Sequence, residues 1–334
     1  MRTIRITGTG SALPGRIVTN KELEQMVETS DEWIRERTGI AERHVSVGET
    51  VVTLASEAAR KALEQAGKRA EEIDLILVAT CSPEQYLPCC ACQVQADIGA
   101  VNALAFDVNA ACSGFLFALN TADAYLRTGL AENALIIGSE VLSKLVDWTD
   151  RSSCILFGDG AGAVVVEQCE VSSGILGRAL HSDGAGGGVL QCGARELTTP
   201  YARTSATKTD QNQPMDGREH FIQMDGQEVY RFATRRVPQC IEEALSDAGL
   251  AVPDIDLFVL HQANARIIDA VAKRLHADRE KFPTNLERVG NLSSASIPVL
   301  LDELNRKGKL HRGDRIVLAG FGAGLTIGAC VMTW

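Results

Sequence analysis

The 334 residues carry 33 lysines and arginines against 43 aspartates and glutamates, a net charge of −10, with 45% hydrophobic and 23% charged residues. That length suffices for two domains or one large duplicated one, the composition is ordinary for a soluble globular protein, and the acidic balance argues against a general nucleic-acid surface. No apolar run reaches bilayer-spanning length and the opening MRTIRITGTG has no secretory apolar region, so a cytoplasmic chain whose ten cysteines are free thiols is expected.

Residues 16 to 49 form a polar insertion carrying SDEWIRERTGI. The stretch 54–80, LASEAARKALEQAGKRAEEIDLILVAT, reads as a helix stopped at Gly67 and followed by a strand. Next come Cys89, Cys90 and Cys92. They lack a second ligand pair at zinc-site spacing, so they are assigned to packing beside a strand or helix end, and no metal is expected.

Residues 104 to 129 organise the chain. A strand, Leu104 to Val108, leads into a helical pattern in which Phe115, Leu116, Leu119, Ala122 and Leu126 recur at threes and fours before Gly129. Cys112 sits at the joint. A thiol at a helix start faces unpaired N–H groups and the positive end of the dipole, which is expected to favour thiolate; the plain alternative is a buried, inert core cysteine. ALIIGSE (134–140) reads as the next strand. Residues 184 to 220, rich in Gly, Thr, Gln and Asn, have no periodicity and are expected to form a mobile loop near an entrance.

The second half repeats the first. Ala62-Leu63 matches Ala244-Leu245, Ala66-Gly67 matches Ala248-Gly249, and Ile73-Asp74-Leu75 matches Ile255-Asp256-Leu257, each pair 182 positions apart. RIVLAGF (315–321) answers ALIIGSE, and SSASIPVLLDELNRKG after Asn291 answers the helix after Cys112. Strands alternating with helices predict mostly parallel sheets covered by helices. Two such halves, 1–170 and 171–334, related by a pseudo-twofold axis would make an α/β five-layer αβαβα sandwich, with the Cys112 helix in the shared central layer.

His261 follows the strand IDLFVL, and Asn291 lies in VGNLSSAS just before the last long helix pattern. Residues at the C-terminal ends of strands converge on one crevice in α/β sheets. A cysteine, a histidine and an asparagine in one pocket point to nucleophilic acyl transfer through a thioester.

The segments DVNAACSGF, LHQANARII, GNLSSASIP and GFGAGLTIG, with SDEWIRERTGI and DRSSCILFGDGAGA, resemble beta-ketoacyl-acyl-carrier-protein synthase III of the thiolase superfamily, in order and over essentially the whole chain. The resemblance implies a thiolase-like fold and a decarboxylating condensation that initiates type II fatty-acid synthesis. Cys112 would take the acyl group of a coenzyme A starter, acetyl being the expected one. Malonyl-acyl-carrier protein would then lose carbon dioxide and attack it. His261 and Asn291 would complete the triad, and the N–H groups of Cys112 and Ala323 would form the oxyanion hole. The resemblance also implies a coenzyme A site in which Trp33 and Arg151 sandwich the adenine, with Arg37 and Thr38 nearby and Gly226 and Asn264 lining a pantetheine tunnel. Phe321 and, from a partner subunit, Leu87 would bound the acyl pocket. Carrier-protein docking falls to Arg266, with Arg231, Arg235, Arg236 and Lys273 as further candidates. A homodimer paired near 105–109 is implied, with coenzyme A thioester as substrate and no resident cofactor.

Two positions depart from the family. Leu292 stands where threonine is common, which puts the orientation of Asn291 in doubt, and Leu87 stands where phenylalanine often precedes proline, which would widen the pocket. Three other readings are a condensing enzyme or acyltransferase of secondary metabolism, a papain-like Cys-His-Asn hydrolase, and a non-catalytic carrier-protein binder. The duplication and the GFGAG tail argue against the hydrolase.

Overall fold

The computed structural model describes residues 2–194 and 218–334. Much of the 184–220 loop expectation therefore lies outside the described residues; of the described parts, Gly184–Val189 is a 3-10 turn leading into the two-residue strand Leu190–Gln191, and Arg218–His220 is another 3-10 turn. Two sheets carry the fold. The first has the order β1 (Arg2–Ala12), β5 (Gly160–Glu170), β4 (Asn133–Glu140), β2 (Leu75–Ala79), β3 (Leu104–Val108). The second has the order β7 (Leu257–Leu260), β8 (Arg315–Gly322), β9 (Thr326–Thr333), β6 (Ile175–Ser182).

Both sheets are mixed, which corrects the expectation of mostly parallel ones. β4, β2 and β3 run parallel, as do β7 and β8, but β5 is antiparallel to β1 and β4, and β9 is antiparallel to β8 and β6. The reason is local at β8–β9. Only three residues separate these strands, and so short a link can join only antiparallel neighbours.

Helices fill the remaining layers. Outside the first sheet lie α2 (Val51–Ala66) and α3 (Cys90–Ile98), packed through Leu54, Ala58, Ala62 and Val94 onto Ile76, Val78 and Val165. Outside the second lie α5 (Gly226–Ala248) and α6 (Ala265–Arg274). Between the sheets sit α4 (Gly114–Arg127) and α7 (Ser296–Arg306), whose Phe115, Leu116, Leu119, Ile297 and Leu300 share one core with strands of both sheets. A helix enclosed by sheets on two sides must be apolar on two faces, and α4 buries residues 114–116, 118, 119, 122, 123 and 126 accordingly. This is the five-layer thiolase-like sandwich.

The repeat register survives in the backbone. Gly67 and Gly249 close α2 and α5 with the same left-handed geometry, φ 66° in both. The 3-10 turns Ala111–Ser113 and Ser293–Ala295 precede α4 and α7. Each starts on a residue with positive φ, 45° at Ala111 and 47° at Ser293. Each receives an asparagine carboxamide oxygen on that residue's N–H, Asn109 at 3.3 Å and Asn291 at 2.9 Å. The Cys112 turn and the Asn291 turn are thus copies of one structural unit, brought to the same level of the central layer by the pseudo-twofold relation.

Candidate active site

Cys112 lies between two cavities. One, about 960 Å³, is lined by Cys112, His261 and Asn291 together with Trp33, Arg37, Thr38, Gly226 and Asn264. The other, about 460 Å³, is lined by Cys112 and Ala323 with the apolar Leu142, Leu145, Phe157 and Ile222. The three residues singled out in sequence therefore converge, as strand-end residues should.

Burial decides their protonation. It pushes the Cys112 thiol up to about 12, while a hydrogen bond with Ser293 opposes that rise. Desolvation outweighs the helix start, so the resting group is a thiol, which corrects the expectation of thiolate. Burial alone pushes His261 down to about 3, leaving a neutral imidazole. Its backbone N–H donates to Ala319 O at 2.8 Å, its ring meets Phe321 edge-on at 5.6 Å, and Nδ1 has no partner among the described residues.

Asn291 is fixed from three sides. Its backbone donates to Leu156 O at 2.9 Å and accepts from Gly158 N at 3.0 Å. Its Oδ1 accepts from Ser293 N, so the carboxamide NH2, which has no protein partner among the described residues, is the end left for the cavity. Leu292 does not disturb this arrangement. It is fully buried in a separate small core with Val289, Ala295 and Val299, against Leu13.

The tail GFGAG approaches Cys112 closely. A Cβ placed on Gly322 would lie 2.6 Å from Cys112 N, and Thr326 Oγ1 ties the turn down by bonding Ala323 O at 3.0 Å and Ala110 O at 3.2 Å. The strand end at Gly322 and the Cys112 turn are thus in close backbone contact, with Ala323 next along the chain.

The outer residues differ more from expectation. Arg151 stacks directly on Trp33, its guanidinium carbon 4.9 Å from the ring centroid, and bonds Glu28 O at 2.9 Å. It does not line the cavity, and the slot for an adenine between the two is closed. Arg37 also faces the Trp33 ring, at 5.8 Å. Asn264 caps α6 through Arg266 N at 2.8 Å and bonds Arg37 O at 3.1 Å, so both ends of its carboxamide are engaged. Thr38 closes α1 (Asp31–Thr38) by donating to Ile34 O. Gly226 is the first residue of α5, after the cap Asp225.

Arg266 is exposed and lies over the ring of Tyr230, a cavity residue, at 5.9 Å. Lys273 is exposed further along α6. Arg231, Arg235 and Arg236 instead line a separate 480 Å³ cavity with Asp183 and Glu228, and Arg231 is ion-paired with Glu228. Leu87 is 85% exposed and lines neither cavity at Cys112. The group that sequence reasoning missed is Glu140, fully buried at the end of β4; the signal was a charged residue closing the otherwise apolar run ALIIGSE.

Comparison with known proteins shows the family. Residues 106–184 match the family described as 3-oxoacyl-[acyl-carrier-protein] synthase III, and residues 245–334 match its C-terminal family. Relatives named beta-ketoacyl-[acyl-carrier-protein] synthase III include one from Clostridium acetobutylicum, 46% identical and covering 100% of this chain and 99% of that one. Another, from Microcystis aeruginosa, is 49% identical and covers 98% and 97%. The chain belongs to the beta-ketoacyl-acyl-carrier-protein synthase III family. Among solved members, the Aquifex aeolicus enzyme superposes with a TM-score of 0.90 at 42% identity, covering 99% of this chain and 100% of that one. The priming beta-ketosynthase of the R1128 polyketide pathway superposes at 0.89 with 36% identity, covering 99% and 96%. Among the described residues, no helix is long and apolar enough to cross a membrane.

Proposed function

We propose that this chain is the acyltransferase that condenses an acyl-CoA starter with malonyl-acyl-carrier protein, initiating fatty-acid synthesis through an acyl group held on Cys112. The observation that carries this reading is the position of Cys112 between two cavities, with His261 and Asn291 in the larger one. In the first half-reaction the sulfur attacks the thioester carbonyl, coenzyme A leaves with the proton that Cys112 gives up, and the acyl chain enters the apolar cavity. The N–H groups of Cys112 and Ala323 hold the oxyanion. In the second, malonyl-carrier protein loses carbon dioxide, and the enolate oxygen takes hydrogen bonds from neutral His261 and the Asn291 NH2. The carbanion attacks the acyl-enzyme, and Cys112 departs as a thiolate that takes a proton from solvent. Removing one such donor costs on the order of 100- to 1000-fold in rate.

Coenzyme A is substrate here, not resident cofactor. Its adenine would part Arg151 from Trp33, with Arg37 at the phosphates. The carrier protein, an acidic partner, would dock beside Arg266 and Lys273, which lie on the helix capped by cavity residue Asn264. Arg231 and Arg235 form a weaker second patch, since Arg231 is already paired with Glu228. The chain would act in the cytoplasm as a homodimer. Edge strand β3 supports that assembly, with Leu104 54%, Val101 72% and Leu87 85% exposed beside it. Pairing there would bring Leu87 of the partner subunit to the acyl cavity.

A secondary-metabolic starter role is the second reading, supported by the likeness to a polyketide priming enzyme and by an acyl cavity larger than an acetyl group. Purified protein given malonyl-carrier protein and, in turn, acetyl-, isobutyryl- and octanoyl-CoA tests both. A beta-ketoacyl-carrier product from acetyl-CoA at the highest kcat/KM supports the first reading. Preference for a longer starter supports the second, and no product with any of them overturns both.

A further inference from the structure

Glu140 is the least expected group in the interior. It is fully buried, and among the described residues no lysine, arginine or histidine bonds it. A buried carboxylate without a counter-ion is costly unless hydrogen bonds replace its hydration, and here they do. Oε2 accepts from Ser82 Oγ at 2.5 Å, Cys81 N at 3.1 Å and Thr80 Oγ1 at 3.2 Å. Oε1 accepts from Ser294 Oγ at 2.8 Å, Ser293 Oγ at 3.0 Å and the Cys81 thiol at 3.4 Å. The carboxylate thus joins the end of β2, in the first half, to the turn before α7, in the second.

Ser293 is the pivot. Its φ of 47° is a strained conformation for a residue with a side chain. Its N–H holds Asn291 Oδ1, and its hydroxyl meets both Glu140 and the Cys112 thiol. We propose that Glu140 is a positioning residue: by clamping Ser293 it keeps the Asn291 NH2 aimed into the cavity and fixes the seat of the Cys112 sulfur, without itself touching substrate. The inference rests on the assignment of Cys112 and Asn291 made above.

A carboxylate suits this role because it only accepts. It holds the Ser293 hydroxyl, which also meets the Cys112 sulfur, in one orientation. Its negative charge also adds to the rise of the Cys112 thiol. Among the described residues, the titratable groups around that sulfur are Glu140 on β4, Cys81 after β2 and His261 after β7, with Cys192 lining the same smaller cavity. Replacing Glu140 by glutamine removes the charge, which lowers the thiol's pKa.

The test compares Glu140→Gln, Ser293→Ala and Cys112→Ser with the parent protein in four measurements: melting temperature, labelling by radioactive acetyl-CoA, carbon dioxide release from malonyl-carrier protein, and iodoacetamide alkylation against pH. Glu140→Gln is expected to melt near the parent and to accept acetyl. Its kcat for carbon dioxide release should fall about 10- to 100-fold, the cost of misplacing a group by a fraction of an ångström to 1 Å, with KM little changed. Its alkylation profile should move to lower pH. Ser293→Ala should reproduce the kcat loss, which keeps the proposal testable where the glutamine variant does not fold. A parent-like kcat, or a kcat loss that tracks melting temperature with the alkylation profile unmoved, overturns the proposal. Labelling that persists in Cys112→Ser overturns the underlying assignment instead.

Discussion

Gly322→Ala is the smallest change that probes how the two halves meet at the nucleophile. A methyl group at this position would sit 2.6 Å from Cys112 N, 3.2 Å from Ala111 Cβ and 3.2 Å from Ser113 N. Non-bonded heavy atoms settle at about 3.5 Å or more, so the strand end and the Cys112 turn must separate by about 1 Å. All three neighbours belong to one tight turn, so no flexible side chain can absorb the shift. Displacement on that scale costs about 100-fold in a positioned reaction, and overpacking a buried contact costs about 1–3 kcal/mol of stability. Rapid-quench measurement of acetyl transfer from radiolabelled acetyl-CoA reads the first effect, and a thermal melt reads the second. Acetylation within threefold of the parent, with an unchanged melt, would refute the claim that backbone approach at Gly322 builds the acylation site.

Three further outcomes are expected. Gly8 and Gly177 are repeat mates packed against Ala62 O and Ala244 O, and a methyl group added at either would lie 2.3 and 2.4 Å, respectively, from those oxygens. Gly8→Ala and Gly177→Ala should each lower the urea midpoint, by about 1–3 kcal/mol in stability; a loss at one site only would break the structural equivalence of the halves. Because burial holds the folded His261 at about 3 while the unfolded residue titrates near 6.5, the unfolded chain binds the extra proton between those values. His261 therefore makes stability fall as pH drops from 7 toward 3, and this share of the pH slope in urea melts should vanish in His261→Phe. Leu104→Lys on β3 should shift a dimer to monomer in size-exclusion chromatography with light scattering, whereas an unchanged mass would move the pairing surface elsewhere.

The repeat is legible in sequence because its marks are local. Gly67 and Gly249 stop helices with the left-handed conformation glycine favours, and the Ile-Asp-Leu runs place the following strands. The convergence of Cys112, His261 and Asn291 is legible for the same reason, each being tied to a strand or helix end within one repeat. Strand direction is not. The antiparallel β5 and β6 pair with strands that helix–strand alternation does not specify. The role of Glu140 is hidden because its partners Ser293 and Ser294 lie 153 and 154 residues away. Protonation at Cys112 is misjudged from sequence because a helix start is visible there, whereas the desolvation that outweighs it exists only after the layers close.

The most direct measurement is the intact mass of the protein after brief exposure to acetyl-CoA, followed by peptide mapping. The account predicts one added acetyl group per chain, located on Cys112 and absent from Cys112→Ser. An acetyl group mapped to another residue, or carried undiminished by the serine variant, would contradict it.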